Sequence, residues 1–588
     1  MTCGYHGCYL RIDVSCGTSE RVPLSNAVLR QFIGGSGLGV KLLLDEGAAH
    51  VDPLAPEAPL VFAFSPLVGS PLTTSAKFAV VSKSPLTERI NDSLASSGFA
   101  IAGKGCGCDA IVIIGRSPEL SVLIIDETGV RLENAEEYRG ATCGETEAAL
   151  KARLGAGFRV ASIGPAGEHL VRYATISHDG RHAGRGGSGA VLGAKNIKAI
   201  AVRGTQRAEW AHPSELSALS KSLSKRSFGP ATAKYRELGT ATNLLTFNRF
   251  GALPTRNFQS GTFEEAASIS PEQLTATRSK TRKSCVACTI GCEHIYSNGK
   301  SGVRVEYESL FALGSLCGVG DADAVLRASQ RCDELGLDTI STGGTIAFAM
   351  ECVERGWLGP PLFDAPWLKF GDGDAMLRAI ELIGSRHVPG NALGDLLAEG
   401  SRRAAHAIGH DSIAIAPQVK GLEIPGYEPR ALQTMALGFA VGARGADHNR
   451  SGAYEVDFSE KVDRRHVTLD AVHLAIETED KAALMDSLIL CKFLRGVLID
   501  FHGEAAEMLR NVTGWDVTAD ELRETARRVV SAKRQFNLIA GWTPAEDTLP
   551  ERFLNTPLPN DPEASLSRER LDGLVAEYHR QRGWELSL

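Results

Sequence analysis

The sequence predicts an α+β fold, with a β-rich N-terminal domain followed by two mainly α-helical domains. Three observations carry this. Residues 1–207 hold a series of short β-branched runs with few helical patterns between them. The texture then turns helical, and a proline-containing stretch, "APQVKGLEIPGYEPRALQ", interrupts the helices near residue 415. The expected units are 1–207, 208–415 and 416–588, within the two to four domains that 588 residues allow.

In the first unit, "PLVFAFSPL", "KFAVVSKS", "DAIVIIGRS", "LSVLIIDETG", "RVASIGPAG" and "IKAIAVRG" read as strands, most of them bounded by Gly, Pro, Asp or Ser. Repeated βαβ units would need long helices between these runs. Such helices are mostly missing, so an antiparallel or mixed sheet is expected rather than a doubly wound one. "HPSELSALSKSLSKRS" then has a Ser/Glu helix start and helical spacing. "DADAVLRASQRCDELGLDTIS", "TIAFAMECVERGWLG", "DAMLRAIELIGSRH" and "ALGDLLAEGSRRAAHAIG" follow as helices, several stopping at Gly. Beyond residue 415 helices dominate again up to a proline-rich tail.

Composition excludes little. A net charge of -7 gives no reason to expect nucleic acid as a partner. No run of 18 apolar residues predicts a transmembrane helix, so no membrane partner is expected. The start lacks the basic-then-apolar pattern of a secretory signal, which makes the cytoplasm the default location. Thirteen cysteines in such a chain point to metal binding or free thiols rather than disulfides.

The chemistry-bearing stretches begin with "KSCVACTIGC". Cys285, Cys288 and Cys292 are spaced C-x2-C-x3-C. Structural zinc takes four ligands and often two C-x2-C pairs, and His294 follows Cys292 by only two positions. An iron–sulfur cube accepts three close thiolates and a distant fourth, so spacing favours iron–sulfur over zinc. Spacing singles out no fourth cysteine; Cys491 ends an apolar helical stretch five residues after Asp486. "DELGLDTIS" sets Asp333 and Asp338 around Gly336 and Leu337, either as a helix end with solvated carboxylates or as a grip on a polar ligand. The glycine-dense "GRHAGRGGSGAVLGAKNIKAIAVRG" carries Arg181 and Arg185 and suits either close backbone approach to phosphate or a tight turn. "IGGSGLGVKLLL" does not fit the dinucleotide pattern. Glu308 in "VEYESL" and His448 in "ARGADHNRS" stand out as proton-transfer groups, although a lone Glu or His is more often structural.

Taken together, the stretches resemble the tungsten-dependent aldehyde ferredoxin oxidoreductase family. "GGSGLGVKLL", "SPLTERIN", "ISHDGRHAGRGGSGAVLGAKNIKAIAVRG", "SCVACTIGC", "EYESLFALGSLCGVGD", "DELGLDTIS", "KGLEIPGYEPR", "RGADH" and "DSLILC" occur in the family's order over nearly the whole chain. The resemblance implies a tungsten or molybdenum bis-pterin cofactor, one [4Fe-4S] cluster and a Mg2+ ion bridging the pterin phosphates, with the β-rich domain as the cofactor's base. It assigns the cluster to Cys285, Cys288, Cys292 and Cys491. One pterin falls to Asp333, Leu337 and Asp338, and the other to Asp486 and Leu490. His182, Gly184 and Arg185 take pterin-contacting positions, Lys77 stands where the family usually has arginine, and Arg444 reaches the cofactor. The Ala183 carbonyl and Asn91 take the magnesium positions, and Glu308 and His448 flank the metal as general base and as hydrogen-bond donor or proton relay.

Three departures accompany the resemblance. Ile489 replaces a glycine before Leu490 and Cys491, the Asn91 region reads "NDSLASSGF", and Arg327 occupies the region where some members carry iron ligands at a dimer interface, so no such iron is expected. The implied activity is oxidation of an aldehyde to its carboxylic acid, with electrons passing to ferredoxin or a ferredoxin-like subunit in a homo- or hetero-oligomer. The alternatives are a catalytic subunit reducing an aromatic acyl-CoA, or a redox subunit without turnover.

Overall fold

All six β-branched runs of the N-terminal unit form strands in a computed structural model that describes residues 3–359 and 365–584. They belong to two six-stranded sheets. The first runs Thr18–Pro23, Cys8–Asp13, Ala110–Ile114, Leu60–Ala63, Lys77–Lys83, Ile90–Ser96. The second runs Arg181–Ala183, Ile176–His178, Arg159–Ser162, Ile197–Val202, Ser121–Asp126, Gly129–Asn134. Each contains one parallel pair, Cys8–Asp13 with Ala110–Ile114 and Ile197–Val202 with Ser121–Asp126, and is otherwise antiparallel. Alternation along the strands turns Phe62, Phe78, Ile111, Leu123 and Ile200 into one core shared by both sheets.

The strand Ile90–Ser96 has no apolar run. Its Asn91, Asp92 and Ser93 are buried all the same, because groups from distant segments bond to them. The glycines of "IGGSGLG" also find their reason here. They open the helix Gly35–Asp45, where a Cβ on Gly39 would stand 2.4 Å from Val81 Cγ2 and one on Gly35 2.2 Å from the Asp486 carbonyl oxygen. The motif buys close helix packing and not nucleotide binding.

The second unit is helical as expected: Pro213–Ser227, Ala322–Leu335, Thr339–Glu354 and Gly373–Gly384. "ALGDLLAEGSRRAAHAIG" divides at Gly400 (φ +85°) into Ala392–Leu397 and Ser401–Ile408. A three-stranded antiparallel sheet, Lys280–Lys283, Glu293–Ser297 and Gly302–Val305, carries the cysteine loop between its first two strands. The strand sequences "KTRK" and "EHIYS" are too polar to announce it. In the third unit, Gln433–Val441, Val472–Leu488, Phe501–Thr513, Ala519–Ile539 and Arg568–Arg582 are the longer helices. No helix among the described residues is long and apolar enough to cross a membrane.

Candidate cofactor and active site

Glu308 lies in the first turn of the helix Tyr307–Leu313. Its Oε2 accepts the Gly426 amide at 3.0 Å, and its Oε1 stands 3.5 Å from His448 Nδ1. Both Oε1 and Nδ1 are buried and have no hydrogen-bond partner. His448 opens the short helix His448–Ser451, whose cap is Asp447, accepting the Asn449 and Arg450 amides at 2.8 and 3.0 Å. Tyr427 stacks on the imidazole at 4.9 Å. Burial pushes Glu308 up to about 8 and His448 down to about 3. Near neutral pH the pair is therefore a carboxylic acid facing an uncharged imidazole.

Around the pair stands a set of buried charges drawn from all three units. Arg185, on the glycine-dense loop, donates to the carbonyls of Ala446 (2.6 Å) and Glu423 and lies 3.4 Å from Asp338. Arg444 donates to the Asp92 carbonyl at 2.6 Å and lies 3.5 Å from Asp447, while its Nε and Nη2 are buried without a partner. Burial works to raise Asp447, but Arg444, Arg450 and Arg185 outweigh it and hold the carboxyl well below its usual range. Asp92 is likewise held down, against burial, by Arg450, Lys533 and Arg444.

The two acidic motifs face this set. Asp338 caps the helix Thr339–Glu354 by accepting the Ile340 and Ser341 amides, and Leu337 bridges to Ala174 of the N-terminal unit. Asp333 is 3.3 Å from His182 Nε2, and His182 Nδ1 shares a hydrogen bond with Thr175 Oγ1 at 2.7 Å. Asp486 is fully buried between Lys492 (2.7 Å) and Arg450 (3.0 Å). Burial lowers Lys492 to about 7, with Asp486 opposing the shift.

On the glycine loop, Gly186 and Gly187 have φ of +83° and +79°. A Cβ on Gly186 would meet Asn91 Oδ1 at 2.1 Å, and one on Gly187 the Arg172 carbonyl oxygen at 2.1 Å. Glycine is required at both positions. Asn91 Nδ2 donates to Ser188 Oγ at 3.0 Å, while Oδ1 is buried and unpartnered. Asn91 is thus packed on the loop that carries Ala183 and Gly184.

The four cysteines gather from two segments. Cys285 and Cys288 share a thiol hydrogen bond that holds Cys285 down and pushes Cys288 up; burial, then Cys491 and Cys285, raises Cys292. Cys288, Cys292 and Cys491 pack against the same apolar cluster. No group of three His, Cys, Asp or Glu among the described residues is placed to hold a single metal ion. Thr74 ties the segments together: its amide donates to the Ala287 carbonyl at 2.6 Å, and its hydroxyl accepts the Cys491 amide at 3.3 Å. Lys77 begins the strand three residues on, and its charge is felt at Cys285. Ile489 takes φ +64° as the C-terminal cap of Val472–Leu488. This is a left-handed conformation that glycine adopts more readily, and the Ile489 side chain lies over Gly35. Leu490 follows, buried, its amide bonded to the Met485 carbonyl.

The family models decide the lineage. The N-terminal domain of aldehyde ferredoxin oxidoreductase matches residues 9–204, and its domains 2 and 3 match residues 218–587. The chain belongs to the aldehyde ferredoxin oxidoreductase family. It is 37% identical to the tungsten-containing aldehyde ferredoxin oxidoreductase of Thermococcus kodakarensis and 36% identical to that of Pyrococcus furiosus, each over 99% of this chain and 96% of the relative. Its fold is shared with the active-site complex BamBC of benzoyl coenzyme A reductase, with a TM-score of 0.83 at 23% identity, covering 100% of this chain and 95% of that one.

Within the family fold, a continuous chain of contacts runs from Asn91 through Gly186, Arg185 and Asp447 to His448 and Glu308. The atoms it leaves unpartnered test whether a family cofactor fits. Asn91 Oδ1 is a hard oxygen suited to magnesium. The free Arg444 nitrogens suit phosphate or pterin oxygens. Glu308 Oε1 and His448 Nδ1 remain without a hydrogen-bond partner, 3.5 Å apart. The donor set fits. Sequence reasoning missed Asp92, Lys492, Lys533, Tyr427 and Thr74. For Asp92, Lys492 and Lys533 the only signal is polarity inside a strand or helix that burial then makes costly to leave unpaired, and Thr74 and Tyr427, in a turn and a loop, carry no such signal.

Proposed function

We propose that this chain is a tungstopterin oxidoreductase that oxidises an aldehyde to the carboxylic acid, RCHO + H2O → RCOOH + 2 e− + 2 H+, with electrons leaving through a [4Fe-4S] cluster to ferredoxin or a ferredoxin-like subunit. The buried Glu308–His448 pair, each with an unused atom, is the observation that carries this reading. When bound, the metal–pterin group supplies Lewis acidity and a two-electron sink, and the cluster supplies a one-electron exit.

In this reading Asp333, Leu337, Asp338, His182, Gly184 and Arg185 hold one pterin, and Asp486 and Leu490 hold the other. Arg444 and Lys77 contribute positive charge, and Asn91 with the Ala183 carbonyl would hold Mg2+. Cys285, Cys288, Cys292 and Cys491 would ligate the cluster. Glu308 is the group that handles the proton of the attacking water. Its raised proton affinity divides its roles by pH. Below about 8 its O–H donates to a substrate oxygen. Once ionised, the carboxylate is the base. The stacked Tyr427 ring keeps water from His448.

The test is metal analysis of protein purified anaerobically from cells supplied with tungstate, together with aldehyde oxidation and aromatic acyl-CoA reduction assays. About one tungsten with about four irons, and turnover of an aldehyde, supports the reading. Zinc without iron, or turnover of the acyl-CoA alone, overturns it.

A further inference from the structure

Around the cysteine loop the charge runs against that of the whole chain. Residues 221–236 and 278–292 together hold nine Lys or Arg and no Asp or Glu, in a chain of net charge -7. The two segments are neighbours. Phe228 caps the helix Pro213–Ser227, and Ser227 Oγ is hydrogen-bonded to Thr289 Oγ1 at 2.6 Å, three residues before Cys292. Part of the basic charge is already used: Arg226 pairs with Glu504, Arg278 with Asp323, and Lys280 donates to the Glu237 carbonyl. Lys225, Arg282 and Lys283 are exposed and make no ion pair among the described residues. Arg282 lies across the loop, close to Gly291.

The same two segments also expose two large apolar side chains. Val286, between Cys285 and Cys288, is 44% exposed, and Phe228 is 56% exposed beneath the Arg236 guanidinium at 4.4 Å. A large apolar side chain in water at the tip of a ligand loop contributes nothing to the core. An apolar centre with a charged rim is the usual anatomy of a transient protein interface. Charge of one sign around it raises the encounter rate of an oppositely charged partner. Electron transfer falls steeply with distance, so a carrier taking electrons from these cysteines has to settle over this loop.

We infer that the surface formed by Val286 and Phe228, rimmed by Lys225, Arg282 and Lys283, is the docking face for a small acidic one-electron carrier protein. This rests on the cluster assignment above. Its positive rim opposes a basic carrier.

The test uses the intact protein and a small acidic two-cluster ferredoxin, with benzyl viologen as an acceptor that needs no docking. Arg282→Glu/Lys283→Glu is expected to weaken ferredoxin binding and raise its KM about tenfold or more, leaving viologen reduction unchanged. Ferredoxin reduction by the unaltered protein falls as salt rises, and the double variant flattens that dependence. Arg282→Lys/Lys283→Arg retains both. Lys225→Glu, on the adjoining helix and away from the hairpin, shows the same selective loss. Equal ferredoxin affinity and salt dependence in both charge-reversed proteins overturns the docking face. Ferredoxin binding is measured without turnover, so a wild-type protein that fails to oxidise aldehydes refutes the activity while leaving the binding comparison to decide this inference.

Discussion

The protonation of Glu308 gives a prediction that needs no cofactor. In the fold, burial moves this carboxyl from its ordinary 4.5 to about 8, three and a half powers of ten in proton affinity. At about 1.4 kcal/mol per power of ten this amounts to about 5 kcal/mol, an upper figure. The sign follows from which state holds the proton. Between pH 4.5 and 8 the native chain keeps it and the unfolded chain has lost it. The stability is therefore fully present below 4.5 and is lost as pH rises through about 8. Glu308→Gln carries no such proton and mimics the neutral acid in shape. Cofactor-free wild-type and Glu308→Gln proteins should therefore differ little in unfolding midpoint at pH 5, and the variant should become progressively the more stable by pH 8.5. His448, lowered by burial to about 3, favours the native state as pH rises, but that contribution is common to both proteins and cancels in the difference. Thermal or urea midpoints from pH 5 to 9 provide the measurement. A gap that stays constant across that range would refute the burial argument and with it the assignment of the resting proton to Glu308.

Other substitutions separate the remaining assignments. Cys491→Ala should abolish the four-iron signal in electron paramagnetic resonance, while Cys317→Ala, fully buried among apolar side chains, should leave it; the reverse pattern removes Cys491 from the ligand set. Asp486→Asn leaves Arg450 and Lys492 buried around a neutral amide, so the denaturation midpoint should fall by the equivalent of about 3–5 kcal/mol and bound pterin should be lost; a protein of undiminished stability contradicts the ion-pair account. Ile489→Gly relieves a left-handed β-branched residue, worth about 1–2 kcal/mol, but removes a buried side chain worth more, for a net loss of about 1–3 kcal/mol; a stabilised variant would show that strain dominates.

The elements legible in the sequence were those whose side chains alone fix their environment. "KFAVVSKS" and "IKAIAVRG" are strands because apolar, β-branched residues lie buried in one shared core. The hairpin carrying Cys285 was not legible, since "KTRK" is held in a sheet by its partners and not by its own composition. The site divides in the same way. Glu308 and His448 stood out by type, yet their 3.5 Å approach depends on Gly426, which a distant loop brings to Glu308 and where any Cβ would fall 2.7 Å from the Tyr307 ring. Spacing left the two readings of "DELGLDTIS" open. Gly336 does end a helix, and Asp333 lies 3.3 Å from His182, a side chain from a distant strand that spacing could not bring to it.

Asp92 sits in a strand of the first sheet and meets the cations of Arg450 and Lys533, while its carbonyl takes Arg444. More than 350 residues of chain separate it from the nearest of these, Arg444. Cutting the chain after the N-terminal sheets would strip Asp92 of all three counter-charges, and in the C-terminal piece would leave Lys533 without its carboxylate while Arg450 and Arg444 kept only Asp486 and Asp447. The three units are therefore not modules that could be lent to other proteins one at a time. What looks in sequence like a detachable base is a half-socket, and it reaches its working shape only when the last helices of the chain have closed over it.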